Sequence, residues 1–130
     1  PLTNEEHQKI AAEFNLSETS FIRPLNVGEE YTKASEFELR WFSPTTEIPL
    51  CGHATLAAAH VLYNEMKNDN GTLSFHTLSG ELTVSRHVNG GLEMNFPAHE
   101  ISLCLVKDVE DPHAGAFPEF LTVRVGIIHL

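Results

Sequence analysis

The feature that most constrains the fold is an apolar, alanine-rich segment at residues 53–66, His-Ala-Thr-Leu-Ala-Ala-Ala-His-Val-Leu-Tyr-Asn-Glu-Met. Wound as an α-helix, its apolar side chains cover nearly the whole circumference, and a helix of that kind is typical of a position buried on all sides. Strand-like patterns precede and follow it. The sequence therefore predicts an α+β fold in which a mixed β-sheet wraps around one central apolar helix.

Further elements are predicted on both sides of this helix. Residues 5–14 form an amphipathic helix that begins with a capping box of Thr3 and Glu6. The two prolines of residues 44–49 predict a turn, and Asn89-Gly90-Gly91 predicts a hairpin turn. Alternating and β-branched patterns predict strands at residues 19–23, 36–42, 72–77, 80–87 and 91–96, with a further strand pattern in 120–130.

Length and charge restrict the class of protein. A chain of 130 residues holds one domain with a core. The net charge is −10 and the basic residues are scattered, whereas nucleic-acid binding needs clustered Lys and Arg, so no nucleic-acid partner is expected.

No apolar run approaches the roughly 20 residues of a membrane span. Two distant cysteines, Cys51 and Cys104, without a secretory signal predict a cytoplasmic location.

The turn Cys51-Gly52-His53 at the start of the central helix is the first candidate site. A helix amino terminus offers free N–H groups and partial positive charge to a carboxylate or phosphate. Glycine allows close approach to the backbone, and histidine can donate a hydrogen bond or exchange a proton. In the alternative interpretation, Gly52 makes a tight turn and His53 only caps the helix.

Two further side chains could carry acid–base chemistry. Cys51 beside a helix amino terminus is expected to have a lowered pKa and to act as a base or nucleophile, unless it is simply a small buried apolar residue. Glu18 enters the strand at residue 19, where a desolvated carboxylate suits acid–base work. Taken alone, however, a glutamate in this position is typical of a solvated surface charge rather than of a catalytic group. The remaining histidines show no paired ligand spacing, so no metal site is expected, and no nucleotide-binding or serine-hydrolase motif is present.

Three segments in order carry a resemblance to a known family: Asn15-Leu16-Ser17-Glu18-Thr19-Ser20-Phe21, Leu39-Arg40-Trp41-Phe42-Ser43-Pro44 and Glu47-Ile48-Pro49-Leu50-Cys51-Gly52-His53-Ala54-Thr55. Together they resemble the PhzF-like (phenazine biosynthesis-like) isomerases. The resemblance implies a diaminopimelate-epimerase-like fold of two similar domains, each a sheet around a central helix. It also implies a homodimer or other homo-oligomer, and a small carboxylate-bearing substrate held between the domains.

The resemblance also assigns roles to residues. Glu18 corresponds to the catalytic acid–base glutamate, which works without a cofactor, and Gly52 and His53 correspond to the substrate-binding Gly-His pair. Ser17 is expected to assist substrate binding, and Glu47 to be structural. Cys51 stands where related racemases carry one of two catalytic thiols, and is a possible secondary acid/base.

Departures from the family pattern define the domain prediction. Residues 1–98 correspond to an N-terminal PhzF-like domain without its first strand, residues 99–130 are a divergent segment, and the second domain with its Gly-Ser-Ala turn does not appear. Two functions follow. One is cofactor-independent isomerisation of the racemase and epimerase type (EC 5.1), incomplete and inactive in the isolated chain. The alternative is a non-catalytic fragment or protein-interaction module.

Overall fold

The structure is a computed structural model that describes residues 2–97, which form a mixed α+β unit with one six-stranded sheet. Helix α1 (Asn4–Phe14) precedes strands β1 (Thr19–Pro24), β2 (Glu36–Phe42) and β3 (Glu47–Ile48). Helix α2 (Gly52–His60) continues into a π-helical segment (Val61–Glu65), and strands β4 (Thr72–Thr77), β5 (Gly80–Arg86) and β6 (Leu92–Asn95) follow. Neither helix of this part of the chain is long and apolar enough to cross a membrane. The segment predicted to diverge from the family, residues 99–130, and the strand predicted at 120–130 lie outside the described residues.

Helix α1 begins as predicted, with a complete capping box. The Thr3 hydroxyl accepts from the Glu6 N–H (3.3 Å), and Glu6 Oε2 accepts from the Thr3 N–H (2.7 Å). The helix packs on the sheet through His7, whose ring stacks on Phe42 (5.4 Å between centroids) and meets Phe21 edge-on (4.5 Å). Because side chains alternate along a strand, Phe42 lies on the opposite face of β2 from Trp41. Helix α1 therefore covers the outer face of the sheet.

The sheet has the order β1-β2-β4-β5-β6, and its neighbours are antiparallel except for the parallel pair β2–β4. Parallel neighbours need a long crossover connection, and α2 lies within the one that joins β2 to β4. Strand β3 pairs with the end of β2 along the edge opposite β1. The crossover therefore carries the chain from β3 directly into the amino end of α2.

The core lies between α2 and the inner face of the sheet. The alternation predicted for β2 is confirmed, because Phe37, Leu39 and Trp41 are buried while the intervening side chains are not. Phe37 is in register with Phe75 of β4, which in turn faces Leu82 of β5. The small residues of α2 allow the helix to approach this face closely; those buried are Ala54, Thr55, Ala58 and Ala59.

The prediction that α2 is buried all round is wrong for the described residues. His53, Ala57 and Val61, which are spaced by four residues and therefore share one face of the helix, are exposed. The sheet covers only the opposite face of α2. The π-helical end was also not predicted. There the Tyr63 hydroxyl donates to the Val84 carbonyl (3.0 Å), and the Arg86 guanidinium lies 4.1 Å from the centre of the Tyr63 ring.

The turn predicted at residues 44–49 contains a short strand. Strand β3 pairs Ile48 with Trp41 and Glu47 with Phe42, and the Ser43 N–H donates to the Thr46 carbonyl (2.8 Å) to close the turn. Pro44 and Pro49 flank this strand, so neither removes a donor from its ladder. Glu47 accepts two hydrogen bonds from Arg40, at 2.7 and 2.8 Å. This ion pair ties β3 to β2.

The Arg40–Glu47 pair predicts a pH-dependent stability. Hydrogen bonds from Arg40 hold the pKa of Glu47 below its ordinary value of 4.5. A carboxylate whose pKa is lower in the folded state stabilises the fold above the unfolded pKa, and this contribution is lost as the pH falls through the folded value. At pH 7 we expect Glu47→Gln to lower the free energy of unfolding by about 1 kcal/mol. The Arg40 and Glu47 side chains are only partly exposed, so solvent screens their ion pair less than it screens a pair on the open surface.

Urea denaturation at pH 7 and at pH 3 measures this difference. The gap between wild type and Glu47→Gln should shrink at pH 3, because the stabilisation from the charged carboxylate starts to be lost once the pH falls below the ordinary value of 4.5. An exposed control, Glu13→Gln on α1, should show no gap at either pH. An equal gap for Glu47→Gln at both values would contradict the role of the charge.

Candidate functional site

The candidate site is built at the amino end of α2. Cys51 is the N-cap residue, and no side chain forms a capping hydrogen bond there. The loop before it is held from two sides: β3 pairs with β2, and the Ser79 hydroxyl in the β4–β5 turn donates to the Pro49 carbonyl (2.7 Å). The Thr55 hydroxyl donates back to the Cys51 carbonyl (2.7 Å) and fixes the first helical turn. The position of Cys51-Gly52-His53 is therefore set by the sheet.

Glu18 reaches this helix end because β1 packs beside α2. The Ser20 hydroxyl of β1 donates to the Ala54 carbonyl in the first turn of α2 (3.3 Å). Glu18 immediately precedes β1, and its Oε2 lies 2.8 Å from Nε2 of His53. The sequence prediction had no means of pairing these two residues, which are separated by 35 positions.

Cys51 completes a cluster with these two residues. Its Sγ lies 3.6 Å from Nδ1 and 3.9 Å from Nε2 of His53. One ligand-type atom from each of Glu18, Cys51 and His53 lies within 4.8 Å of the other two. We call this group the Glu18–Cys51–His53 cluster.

The three members of the cluster differ in exposure. The Glu18 side chain is 21 % exposed and the His53 side chain 66 %, while Cys51 is 7 % exposed. Oε2 of Glu18 is shielded from solvent and accepts no aligned hydrogen bond among the described residues, although it lies at ion-pair distance from His53. A partly buried carboxylate oxygen with a free lone pair is thus placed beside an accessible imidazole.

The helix backbone adds donors to the same site. The first N–H groups of a helix have no intrahelical carbonyl partner and carry partial positive charge. At Gly52 a Cβ atom would collide with the ring of Phe96 and would lie 3.4 Å from the Met94 methyl. Glycine therefore allows β6 and the segment after it to cover the start of α2. Phe96, Met94, Ser20 and Ser79 were not predicted as site residues, since only the strand pairing brings them here.

The predicted decrease in the pKa of Cys51 is wrong. Burial is the largest influence and raises the pKa of the thiol above its ordinary value of 9.0. The nearby Ala54 backbone N–H lowers this pKa, but the negative charge of Glu18 raises it further. Desolvation of the thiolate thus outweighs the helix end. Cys51 is neutral at physiological pH in this site.

This raised pKa predicts slow alkylation of Cys51 by iodoacetamide. The rate should rise with pH through a midpoint above that of an ordinary cysteine, because only the thiolate reacts. Mass spectrometry in a Cys104→Ser background isolates Cys51. In Glu18→Gln the midpoint should fall, since one source of negative charge is removed. A midpoint pH below that of free cysteine would instead support the prediction from sequence that the helix amino end lowers the pKa of Cys51.

The other predicted site residues are placed as follows. His53 lies in the first turn of α2 and does not cap it. Gly52 is half-buried beneath Phe96. Ser17 is exposed next to Glu18, and its hydroxyl makes no hydrogen bond within the described part of the chain. The structure therefore brings Glu18, Cys51, Gly52 and His53 together and leaves Ser17 at the border.

A separate groove of about 310 Å³ lies on the outer face of the sheet, next to α1. It is lined in part by Arg23 and Arg40. Arg23 is paired with Glu38 and Arg40 with Glu47, so both cations are neutralised within the fold. The groove lacks the unpaired charge that an anionic ligand needs.

Comparison with known proteins gives consistent matches. A sequence model described as "Phenazine biosynthesis-like protein" (PhzC-PhzF) matches residues 1–116. The "Phenazine biosynthesis-like domain-containing protein" of Homo sapiens is 49 % identical over 110 residues, which cover 85 % of this chain and 38 % of that protein. An uncharacterized isomerase of Pseudomonas aeruginosa is 44 % identical over 107 residues, covering 82 % of this chain and 38 % of that protein.

Solved structures agree with these matches. The crystal structure of a phenazine biosynthesis PhzC/PhzF protein from Clostridium difficile superposes with a TM-score of 0.63 at 44 % sequence identity, covering 81 % of this chain and 38 % of that one. The chain thus spans about two-fifths of the length of the curated relatives that it matches.

Proposed function

The chain belongs to the PhzC-PhzF, phenazine biosynthesis-like family, and on this basis we propose that it forms one half of the active site of a cofactor-independent isomerase. The family resemblance found in the sequence is thereby confirmed. The reaction is transfer of a proton at a carbon adjacent to a carboxylate or a conjugated double bond. The observation that carries the proposal is the approach of Glu18 to His53 at the amino end of α2, 2.8 Å apart.

Each group in the site has a distinct part in this reaction. Glu18 takes the proton from the substrate carbon, and the electrons of the broken C–H bond move into the adjacent unsaturated system. The free N–H groups at the start of α2 and the His53 imidazole stabilise the negative charge that develops there. Glu18, now protonated, returns the proton to another carbon of the same conjugated system, on the face from which it was taken. Atoms and charge balance without an oxidant or a cofactor.

The family resemblance also supports a diaminopimelate-epimerase-like architecture. In that arrangement a second domain supplies a second helix amino end opposite Cys51-Gly52-His53, and the substrate carboxylate lies between the two. The exposure of His53 and of the adjacent face of α2 leaves room for such a partner. The activity of the whole protein is therefore a property of the complete gene product, and the described residues supply its acid–base half.

Solvent deuterium exchange tests the proposed function. The complete gene product is incubated in D₂O, after dialysis against EDTA, with a panel of small carboxylates that carry an acidic C–H. NMR and mass spectrometry then detect deuterium in the substrate. We expect catalysed exchange for at least one unsaturated or α-substituted carboxylate without added cofactor. Exchange that appears only with an added nucleotide or metal ion would reject cofactor independence.

A second candidate function, a protein-interaction module, rests on the exposed face of α2. Ala57 and Val61 are accessible on a helix whose sequence is apolar all round. Self-association through this face would form a homo-oligomer. Analytical ultracentrifugation of wild type and Val61→Lys tests it, because the lysine should abolish self-association, whereas Val27→Lys, at a fully exposed loop position, should not. A monomeric wild type would exclude self-association through this face.

A further inference from the structure

The geometry points to a binding site for a thiophilic divalent metal ion, of the Zn²⁺ type, formed by Glu18, Cys51 and His53. Sequence spacing gives no hint of this site, because its carboxylate lies 33 residues before the cysteine. Within residues 2–97 it is the single group of three His, Cys, Asp or Glu side chains close enough to share an ion.

The separations of the ligand atoms are close to, but not equal to, those around a tetrahedral ion. With zinc bonds of about 2.3 Å to sulfur and about 2.1 Å to nitrogen and oxygen, tetrahedral angles place S and N about 3.6 Å apart and N and O about 3.4 Å apart. Cys51 Sγ lies 3.9 Å from His53 Nε2, and that nitrogen lies 2.8 Å from Glu18 Oε2. The Cys51 sulfur and a Glu18 carboxylate oxygen lie within 4.8 Å of each other. Binding therefore requires the Glu18 oxygen to move toward the sulfur by up to about 1 Å, and the His53 nitrogen and the Glu18 oxygen to separate by about 0.6 Å. The His53 side chain is 66 % exposed and the Glu18 side chain 21 % exposed, so both side chains have room to adjust.

The chemistry of the three ligands selects the ion. A thiolate with an imidazole suits Zn²⁺ and Co²⁺, whereas Mg²⁺ and Ca²⁺ prefer sites made only of oxygen. On binding, the Cys51 thiol loses its proton to solvent, and the thiolate and the Glu18 carboxylate then neutralise the ion. Three protein ligands leave a fourth position open on the accessible side of His53.

Metal binding has a consequence that rests on the proposed function. A coordinated Glu18 can no longer accept a proton from substrate, so the ion would inhibit the isomerase reversibly. The Glu18–Cys51–His53 cluster is then a point at which free zinc suppresses the activity, and a chelator restores it.

Titration with Co²⁺ tests binding directly in the 130-residue chain. A thiolate-to-cobalt charge-transfer absorption should grow to one equivalent, disappear when Zn²⁺ is added, and remain unchanged by Mg²⁺. Cys51→Ser should abolish the absorption, and Cys104→Ser should leave it intact. His53→Asn alters an exposed side chain, so it should fold normally and weaken binding by at least about tenfold. Circular dichroism confirms the fold of each variant.

A matched control uses the other His–Glu contact of the described residues, His87 with Glu93, which has no cysteine. His87→Ala should bind Co²⁺ as wild type does. Absence of the charge-transfer absorption, its survival in Cys51→Ser, or equal binding by His53→Asn would each overturn the site. Because absorption is read without substrate, failure of the metal site and failure of the isomerase proposal are separate results.

Discussion

Glu18→Gln is expected to lower the rate of substrate deuterium exchange by about 10²- to 10⁴-fold, the usual contribution of a positioned acid–base group. Glutamine keeps the size of the side chain but cannot accept the proton. The substrate would still meet the helix amino end and His53, so its binding should change much less than the rate. Single-turnover exchange in D₂O separates the two effects, because it follows the chemical step directly.

The exchange rate of Glu18→Gln is compared with the rates of two further variants. Glu13→Gln changes an exposed carboxylate on α1 and should leave the exchange rate unchanged. Glu18→Asp keeps the carboxylate but withdraws it by one methylene, so an intermediate rate is expected. Exchange by Glu18→Gln at a rate near that of wild type would remove Glu18 as the base.

Phe75→Ala is expected to have the largest effect on stability, a loss of about 3–5 kcal/mol. Phe75 is fully buried at the centre of β4, and its ring centroid lies 5.9 Å from that of Phe37 on β2. Removing the ring leaves a cavity where β4 pairs in parallel with β2. These two strands are joined by the crossover connection that contains α2. Since domains are stable by only about 5–15 kcal/mol, the variant should be partly unfolded at 37 °C.

Urea denaturation monitored by circular dichroism measures the loss. Leu78→Ala, in the turn after β4, is the matched control because this leucine is 67 % exposed; its effect should stay within about 0.5 kcal/mol. A loss below about 1 kcal/mol for Phe75→Ala would show that the core is not organised around the β2–β4 contact.

Local patterns predicted most of the elements because they depend on neighbouring residues. The Thr3–Glu6 capping box and the alternation of residues 36–42 both appear in the structure as predicted. Predictions failed where the structure of a segment depends on contacts with residues far away in the sequence. Strand β3 forms because β2 offers a free edge to Ile48, and no local signal in a proline-flanked segment shows that edge.

The central helix shows the same division. Its apolar sequence determined that it would be a core helix, but burial on one face only is set by where the sheet lies. The turn Cys51-Gly52-His53 marked the helix end, yet its chemistry depends on desolvation. Burial together with the charge of Glu18 raises the pKa of Cys51, against the expectation from the helix end alone.

The sequence by itself determined the family and the order of most elements, and it singled out Glu18 as the candidate acid–base residue. It could do so because motifs and periodicities depend on residues that are close together in the chain. Only the tertiary structure placed Glu18 2.8 Å from His53 and brought Cys51 beside both. That proximity results from β1 packing beside the first turn of α2, through Ser20 and the Ala54 carbonyl. A contact between residues far apart in the chain is decided by packing and strand register, which no local pattern contains.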